Sequence, residues 1–271
     1  MTSLESTAQI PRSLRLPFRL ERAELLKLRK SRGVWIPTAL LTIGAIAIMY
    51  TAIELFHVYN SSKYGPAGGT ANFGHAMFLM GQIAGMIAAA LVGAAAGTQD
   101  LSSGVFRDLV STGRSRTRLF LARIPGGLGL LLPMMAVAYA LAAVLCVALA
   151  GGLPTPSVTL FTKAGLYVLF SGAVVYVISL GLGSLIGSRA ATISVLIAYL
   201  LPVQAILRNI SVLGRARDAL LSPAVERLSP LPPPDPHDVM NMSLTTSLIV
   251  LAFWVVIFCG LGLWRTQRRD A

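Results

Sequence analysis

The sequence predicts an all-α, polytopic membrane protein with six transmembrane helices. Three observations carry this prediction. The apolar residues are gathered into six long blocks. Of all residues, 55% are hydrophobic and only 13% are charged, about half the charged share of an ordinary soluble domain. Most of the basic residues lie in the gaps between the blocks, which is typical of loops that flank membrane spans.

Each apolar block is long enough to cross a bilayer as a helix. The blocks are Val34–Phe56, Ala76–Thr98, Pro125–Ala150, Ala164–Ile186, Thr192–Leu213 and Ser243–Trp264. About 20 apolar residues span the hydrocarbon core, and a helix satisfies its own backbone hydrogen bonds in lipid. The blocks therefore predict a cytoplasmic N-terminal segment over residues 1–33, a six-helix membrane domain over residues 34–264 and a cytoplasmic tail over residues 265–271.

The basic residues predict the orientation of the spans. When the gaps are assigned alternately to the two sides, 17 of the 23 Lys and Arg residues fall on one side. The positive-inside rule makes that side cytoplasmic, so both termini are inside (N-in/C-in). The net charge of +12 would also suit a nucleic-acid-binding protein. Because the charge lies beside apolar blocks, we expect contact with membrane lipid and no nucleic-acid partner.

The segment before the first block has a helical pattern rich in charges of both signs. We predict a helix over Phe18–Lys30, with Leu25 and Leu28 on its apolar side and Glu24 paired with Lys27 one turn later. A basic amphipathic helix that leads into a span is typical of a helix lying along the inner membrane surface. The pattern fits equally well a solvated basic flank that only fixes the topology.

The gap Gln99–Arg123 is the most informative of the loops. Its sequence QDLSSGVFRDLVSTGRSRTRLFLAR predicts two short helices joined by a turn at Gly113. The first helix, Leu101–Thr112, has an apolar side and several cations nearby, so it can dock on another protein. The alternative is a loop whose position is fixed by the positive-inside rule alone.

The second block carries a row of small residues at every fourth position. Such a row lets another helix approach closely, and we interpret it as a packing surface rather than a substrate site. The row consists of Gly81, Gly85, Ala89, Gly93 and Gly97.

The sequence lacks the motifs of several functional classes. Neither the P-loop pattern nor the G-x-G-x-x-G pattern occurs, so we expect no cofactor in this chain and no ATP hydrolysis by it; we do not expect it to be an enzyme. No Cys or His spacing suggests a metal site. Glu54 is the only acid within the blocks, which is fewer than a proton-coupled carrier normally needs.

Three stretches resemble the type-2 ABC export permease family of bacteria. They are RAELLKLRKSRGVW before the first block, DLSSGVFRDLVSTGRSRTRLFLAR after the second, and GSRAATIS between the fourth and fifth. In the second stretch the family tends to have a glutamate, a Gly-Thr pair and an arginine. Here Asp100, Gly104 followed by Val105, and Arg107 stand at those positions, so the glutamate and the threonine are replaced. The family also tends to have a later arginine and a basic residue that enters span three, and these correspond to Arg116 or Arg118 and to Arg123.

The resemblance implies a fold and a set of partners. In such exporters an amphipathic elbow helix precedes span one, and a cytoplasmic coupling helix between spans two and three docks on an ATPase. The expected partners are two cytoplasmic ABC ATPase subunits, which would bind MgATP, and a second permease half, in a bacterial cell membrane. Carried onto this chain, the elbow helix holds Glu24, Leu25, Lys27 and Leu28, and the ATPase-coupling interface holds Asp100, Leu101, Gly104, Val105, Phe106, Arg107, Asp108, Leu109, Gly113 and Arg114.

Two hypotheses of other classes stay open beside the exporter. The first is a membrane anchor with the same fold that holds an ATPase without transporting anything. The second is an intramembrane enzyme, against which the spans show no recognisable nucleophile–base pair and no metal set. The sequence does not indicate the cargo of an exporter.

Overall fold

A computed structural model describes residues 19–102, 115–232 and 242–268. Of these residues 86% are helical and none is in a strand. Six helices are long and apolar enough to cross a membrane, which confirms the predicted all-α class and the number of spans. The predicted helix Leu101–Thr112 of the ATPase-coupling interface lies almost entirely outside the described residues.

Each spanning helix extends beyond its apolar block at one end or at both. Helix α1 (Arg19–Lys30) precedes the spans and is separated from the first by the extended residue Ser31. The spanning helices are α2 (Arg32–Tyr59), α3 (Gly69–Asp100), α4 (Arg116–Ala148), α5 (Val158–Ile186), α6 (Arg189–Asn209) and, after the short helix α7 (Leu221–Glu226), α8 (Leu244–Arg268). Hydropathy detects only the apolar part of each helix, whereas the helical backbone continues into polar flanking residues.

The core of the bundle is formed by α3 and α5. In α3, 72% of the most apolar stretch is buried by the protein, and in α5 the figure is 67%, compared with 17% for α2 and α8. The other helices therefore surround this pair and leave an apolar side uncovered, as expected where lipid is the solvent.

Three of the spanning helices contain a widened, π-type turn, at Leu40–Gly44, Leu79–Ile83 and Tyr199–Val203. Pro37 and Pro202 lie just before or within two of these turns, and a proline lacks the N–H that the regular helix needs. In the remaining turn, Leu79–Ile83, the carbonyl oxygen of Met80 would lie 1.9 Å from a Cβ at Gly85. Gly85 is therefore required by the wide turn of its own helix.

Between α6 and α8 the chain folds back into the protein. After a 3₁₀ segment at Ser211–Ala219, helix α7 buries Leu221 through Val225. The side chain of Gln204 accepts a hydrogen bond from the Ser222 N–H at 2.7 Å, and Gln82 donates to the Ser222 carbonyl at 3.5 Å. Such partners satisfy irregular backbone inside a bundle. The fifth span was predicted to reach Leu213, but its helix ends earlier because the chain turns inward here.

Hydrogen bonds between distant segments define the two ends of the bundle. At one end Arg116, at the start of α4, donates to the carbonyl of Gln267 near the end of α8, at 2.8 Å. This basic end comprises α1 and residues 97–102, 115–123 and 262–268. At the opposite end the N–H of Gly68 donates to the carbonyl of Leu149 at 2.9 Å, so the turn before α3 lies beside the turn after α4.

Candidate functional site

A buried cluster of four charged side chains lies at the basic end. The ammonium of Lys27 contacts Glu24 Oε2 at 2.7 Å and Asp100 Oδ1 at 2.5 Å. The guanidinium of Arg123 contacts Asp100 Oδ2 at 2.8 Å. We call Glu24, Lys27, Asp100 and Arg123 the ion-pair cluster. It joins α1 to the end of α3 and the start of α4, which are the two helices that flank residues 101–115.

Three of the four members of the cluster are nearly shielded from solvent, whereas the side chain of Lys27 is 27% exposed. Arg123 is 1% exposed, Asp100 4% and Glu24 9%. Two acidic and two basic side chains balance at neutral pH, which is the condition for keeping charges in a site of low polarity. The predicted pairing of Glu24 with Lys27 is confirmed, and Lys27 bridges it to Asp100.

Glycines of α4 allow α1 to approach closely enough to form the cluster. A Cβ at Gly126 would lie 2.5 Å from the Cβ of Glu24, so no other residue fits there without displacing α1. One turn further along, Gly129 lies beside the side chain of Leu25, while Leu28 is fully buried. The apolar side of α1 thus packs on the protein.

The electrostatic environment of Glu24 differs from that of an exposed carboxyl group. Burial raises the pKa of Glu24 above its usual value of 4.5, and the negative charge of Asp100 raises it further. The positive charges of Lys27 and Arg123 oppose this rise without cancelling it. Protonation of Glu24 therefore favours the folded arrangement.

The cluster is also connected to the core helix α5. The hydroxyl of Tyr176 donates to the backbone carbonyl of Arg123 at 2.6 Å. The guanidinium of Arg123 reaches the carbonyl of Gly97 at 3.5 Å. Tyr176 is completely buried. A displacement of the start of α4 would therefore strain its contacts with both central helices, α3 and α5.

The C-terminal half of the row of small residues in α3 lies against the backbone of α5. A Cβ at Gly93 would be 2.5 Å from the carbonyl oxygen of Tyr176, and one at Gly97 would be 2.6 Å from that of Leu180. Nearer the opposite end, Gly81 faces the ring of Tyr167. Ala89 is completely buried. These contacts are close helix packing, and none of them forms a ligand site.

Most of the predicted ATPase-coupling interface lies outside the described residues. Asp100 is in the ion-pair cluster, and the backbone of Leu101 continues helix α3. The remaining members fall in residues 103–114, so their docking role stays a prediction: Gly104, Val105, Phe106, Arg107, Asp108, Leu109, Gly113 and Arg114.

The resemblance matched Arg123 to the basic residue that enters span three, but the sequence did not place it in the ATPase-coupling interface. Its signal was present: a basic residue between the apolar stretch Leu119–Ala122 and a pair of glycines, Gly126 and Gly127. A charge at such a boundary, followed by glycines, is a candidate for burial against another element with a counter-charge. The partner itself could not be read from spacing, since Asp100 lies 23 residues away.

The cluster has the chemistry of a structural connection. Its groups hold three helices in register and place no reactive atom in an open cleft. Within residues 19–102, 115–232 and 242–268 no group of three or more His, Cys, Asp or Glu side chains is arranged to hold a metal ion. A scan against protein-family models found no match for this chain, and a search of curated proteins found none.

Proposed function

We propose that this chain is the membrane-spanning permease subunit of an ATP-driven exporter related to the type-2 ABC family. The observation that carries the proposal is the ion-pair cluster. It fastens α1, which we propose is the elbow helix, to both helices that flank the segment resembling a coupling helix. The resemblance of the sequence in these same stretches supports it.

The orientation proposed for this subunit follows from charge. With the basic end in the cytoplasm, α1, residues 101–115 and both termini are on the side where ATP is available. The membrane is proposed to be a bacterial cell membrane. Two cytoplasmic ATPase subunits would bind beneath the basic end and supply MgATP hydrolysis, and a second permease half, identical or homologous, would complete the path.

In the proposed mechanism the cluster transmits movement from the ATPase to the spans. Closure of the ATPase pair on ATP displaces residues 101–112, and the buried ion pairs oblige α1, α3 and α4 to move with them. The bond from Tyr176 to Arg123 carries the displacement to α5. The ATP site of the partner and the transport path between the spans would then share one element with two states, inward-facing and outward-facing. Coupling of two sites through such an element is allosteric.

The first test is recovery of the partner. The full chain, tagged at its C-terminus and extracted from native membranes in mild detergent, should co-purify with a P-loop ATPase in a fixed ratio. Exchanging the charges of Arg107 and Asp108 (Arg107→Asp with Asp108→Arg) should lower that recovery and abolish coupling. Lys63→Glu, a reversal at the opposite end, is the control and should behave as the wild type.

Two results would count against the exporter. Failure to recover any ATPase with intact, folded protein would remove the proposal. Recovery of an ATPase without ATP-dependent changes in the labelling of single cysteines placed in the spans would favour the membrane anchor instead, because an anchor has no need to alternate between two states.

A further inference from the structure

We infer that a cavity at the opposite end of the bundle binds the phosphate headgroup and upper acyl chain of an anionic phospholipid. The cavity has a volume of about 820 Å³ and lies between the first turns of α5, the start of α8 and the turn after α7. This inference requires only that the protein spans a membrane. It does not depend on the proposed export function.

Two cationic side chains, Lys163 of α5 and Arg227 of the turn after α7, line the cavity. Arg227 donates from Nε to the carbonyl of Met242 at 2.7 Å, which anchors the side chain and leaves its other guanidinium N–H groups for an acceptor. The four ion pairs found in the described part of the chain include neither residue. The cavity therefore offers two positive charges, and a phosphate is their natural complement.

The rest of the cavity wall is apolar and continues onto the outer surface of the bundle. Leu166 is 64% exposed and Phe170 and Leu248 are each 45% exposed, and all three line the cavity. They lie on helices that cross the membrane, so the mouth of the cavity opens onto hydrocarbon. A ligand that fills it must carry an acyl chain or another apolar group as well as a negative charge.

The depth of Lys163 agrees with a lipid headgroup. Lys163 is five positions into α5, which places its Cα about 7.5 Å along the helix axis from the first helical residue. A lysine at that depth extends its ammonium toward the membrane surface while its stem stays in apolar surroundings. The volume of the cavity is within the range of about 300–1,000 Å³ that small-molecule sites have, enough for a headgroup and part of a chain.

The test is native mass spectrometry of the full chain in detergent, titrated with phosphatidylglycerol or with phosphatidylcholine of the same acyl chains. We expect one phosphatidylglycerol to be retained preferentially. Each cation near a membrane surface is worth about a fivefold change in the binding of an anionic lipid, so Lys163→Gln with Arg227→Gln should weaken retention about 25-fold. Lys63→Gln with Arg217→Gln removes two other cations, neither of which lines the cavity, and should leave retention unchanged.

A second variant tests the apolar wall without altering charge. Leu166→Trp narrows the mouth of the cavity and should also reduce retention, while the elution profile of the protein on size exclusion shows that it is folded. Equal retention of both lipids by the wild type, or equal loss in the cavity and control double variants, would overturn the inference. Displacement of the lipid by an excess of inorganic phosphate would also overturn it, because the ligand would then be a free anion.

Discussion

Replacing Asp100 with asparagine should be among the most damaging conservative changes in this protein. Its carboxylate accepts charge-assisted contacts from Lys27 at 2.5 Å and from Arg123 at 2.8 Å. In the variant Lys27 keeps Glu24 as a partner. Arg123, which is 1% exposed, keeps its charge without a carboxylate in contact and without access to water.

The expected magnitude follows from that burial. Removing one partner of a buried ion pair costs about 3–5 kcal/mol because the other charge stays buried. The amide oxygen of asparagine still accepts a hydrogen bond from Arg123, so we expect the lower end, about 3 kcal/mol of the free energy of unfolding. That is roughly a 150-fold change in the unfolding equilibrium.

The assay is reversible unfolding of the full chain in mixed micelles of a mild detergent and dodecyl sulfate, followed by circular dichroism. Asp218→Asn is the matched control: Asp218 is half-buried and takes part in none of the ion pairs of the described residues. It should change stability by no more than about 0.5 kcal/mol.

A double-variant cycle separates loss of the ion pair from general damage. Asp100→Asn together with Arg123→Gln removes one charge of each sign and leaves Lys27 and Glu24 paired. The double variant should therefore cost at least about 1 kcal/mol less than the sum of the single variants. Additive costs, or a single Asp100→Asn variant as stable as Asp218→Asn, would refute the reasoning.

Two further predictions concern packing and pH. Gly93→Ala should lower the free energy of unfolding by about 1–3 kcal/mol, because its Cβ would lie 2.5 Å from the backbone carbonyl oxygen of Tyr176. The control Gly74→Ala, whose Cβ would have no atom within 4 Å, should be close to neutral. Equal melting temperatures for the two variants would contradict the packing account. The pKa of Glu24 is raised in the folded state above its usual 4.5. At a pH between the usual pKa and the raised one, folding takes up a proton, so the free energy of unfolding falls as pH rises through that window. The melting temperature of Glu24→Gln, measured against pH, should lack this fall, and an unchanged profile would show that Glu24 does not titrate there.

The sequence was sufficient to predict the spans, because lipid imposes a simple rule on length and apolarity. The rule gave six helices but placed their ends by hydropathy alone, so the block Ala76–Thr98 became the longer helix Gly69–Asp100. It also read the stretch between the fifth and sixth blocks as a loop outside the bilayer. The structure buries Leu221 through Val225 there, because Gln82 and Gln204 satisfy their backbone from other helices, and hydropathy contains no such information.

The candidate site was predictable only where its partners are close in sequence. The pair Glu24 and Lys27 follows from helical spacing. Asp100 and Arg123 were matched through the resemblance of the segment after α3, and Arg123 was also counted among the charges that fix the topology, but no contact between the two was predicted. Their meeting depends on how three helices pack, and Gly126, which permits that packing, has the same appearance in the sequence as a flexible helix start.

The cluster also constrains where a conformational change in this protein can occur. Separating Arg123 from Asp100 would leave two opposite charges uncompensated in a site shielded from water, at a cost comparable to the removal of one partner of a buried pair, about 3–5 kcal/mol. Any force on residues 101–115 should therefore move α1, the end of α3 and the start of α4 together. Bending must then occur where helical hydrogen bonding is already interrupted, and in α2, α3 and α6 those places are the wide turns at Leu40–Gly44, Leu79–Ile83 and Tyr199–Val203. In the proposed transporter these turns are the hinges, and the helix ends joined by the cluster move as one rigid body.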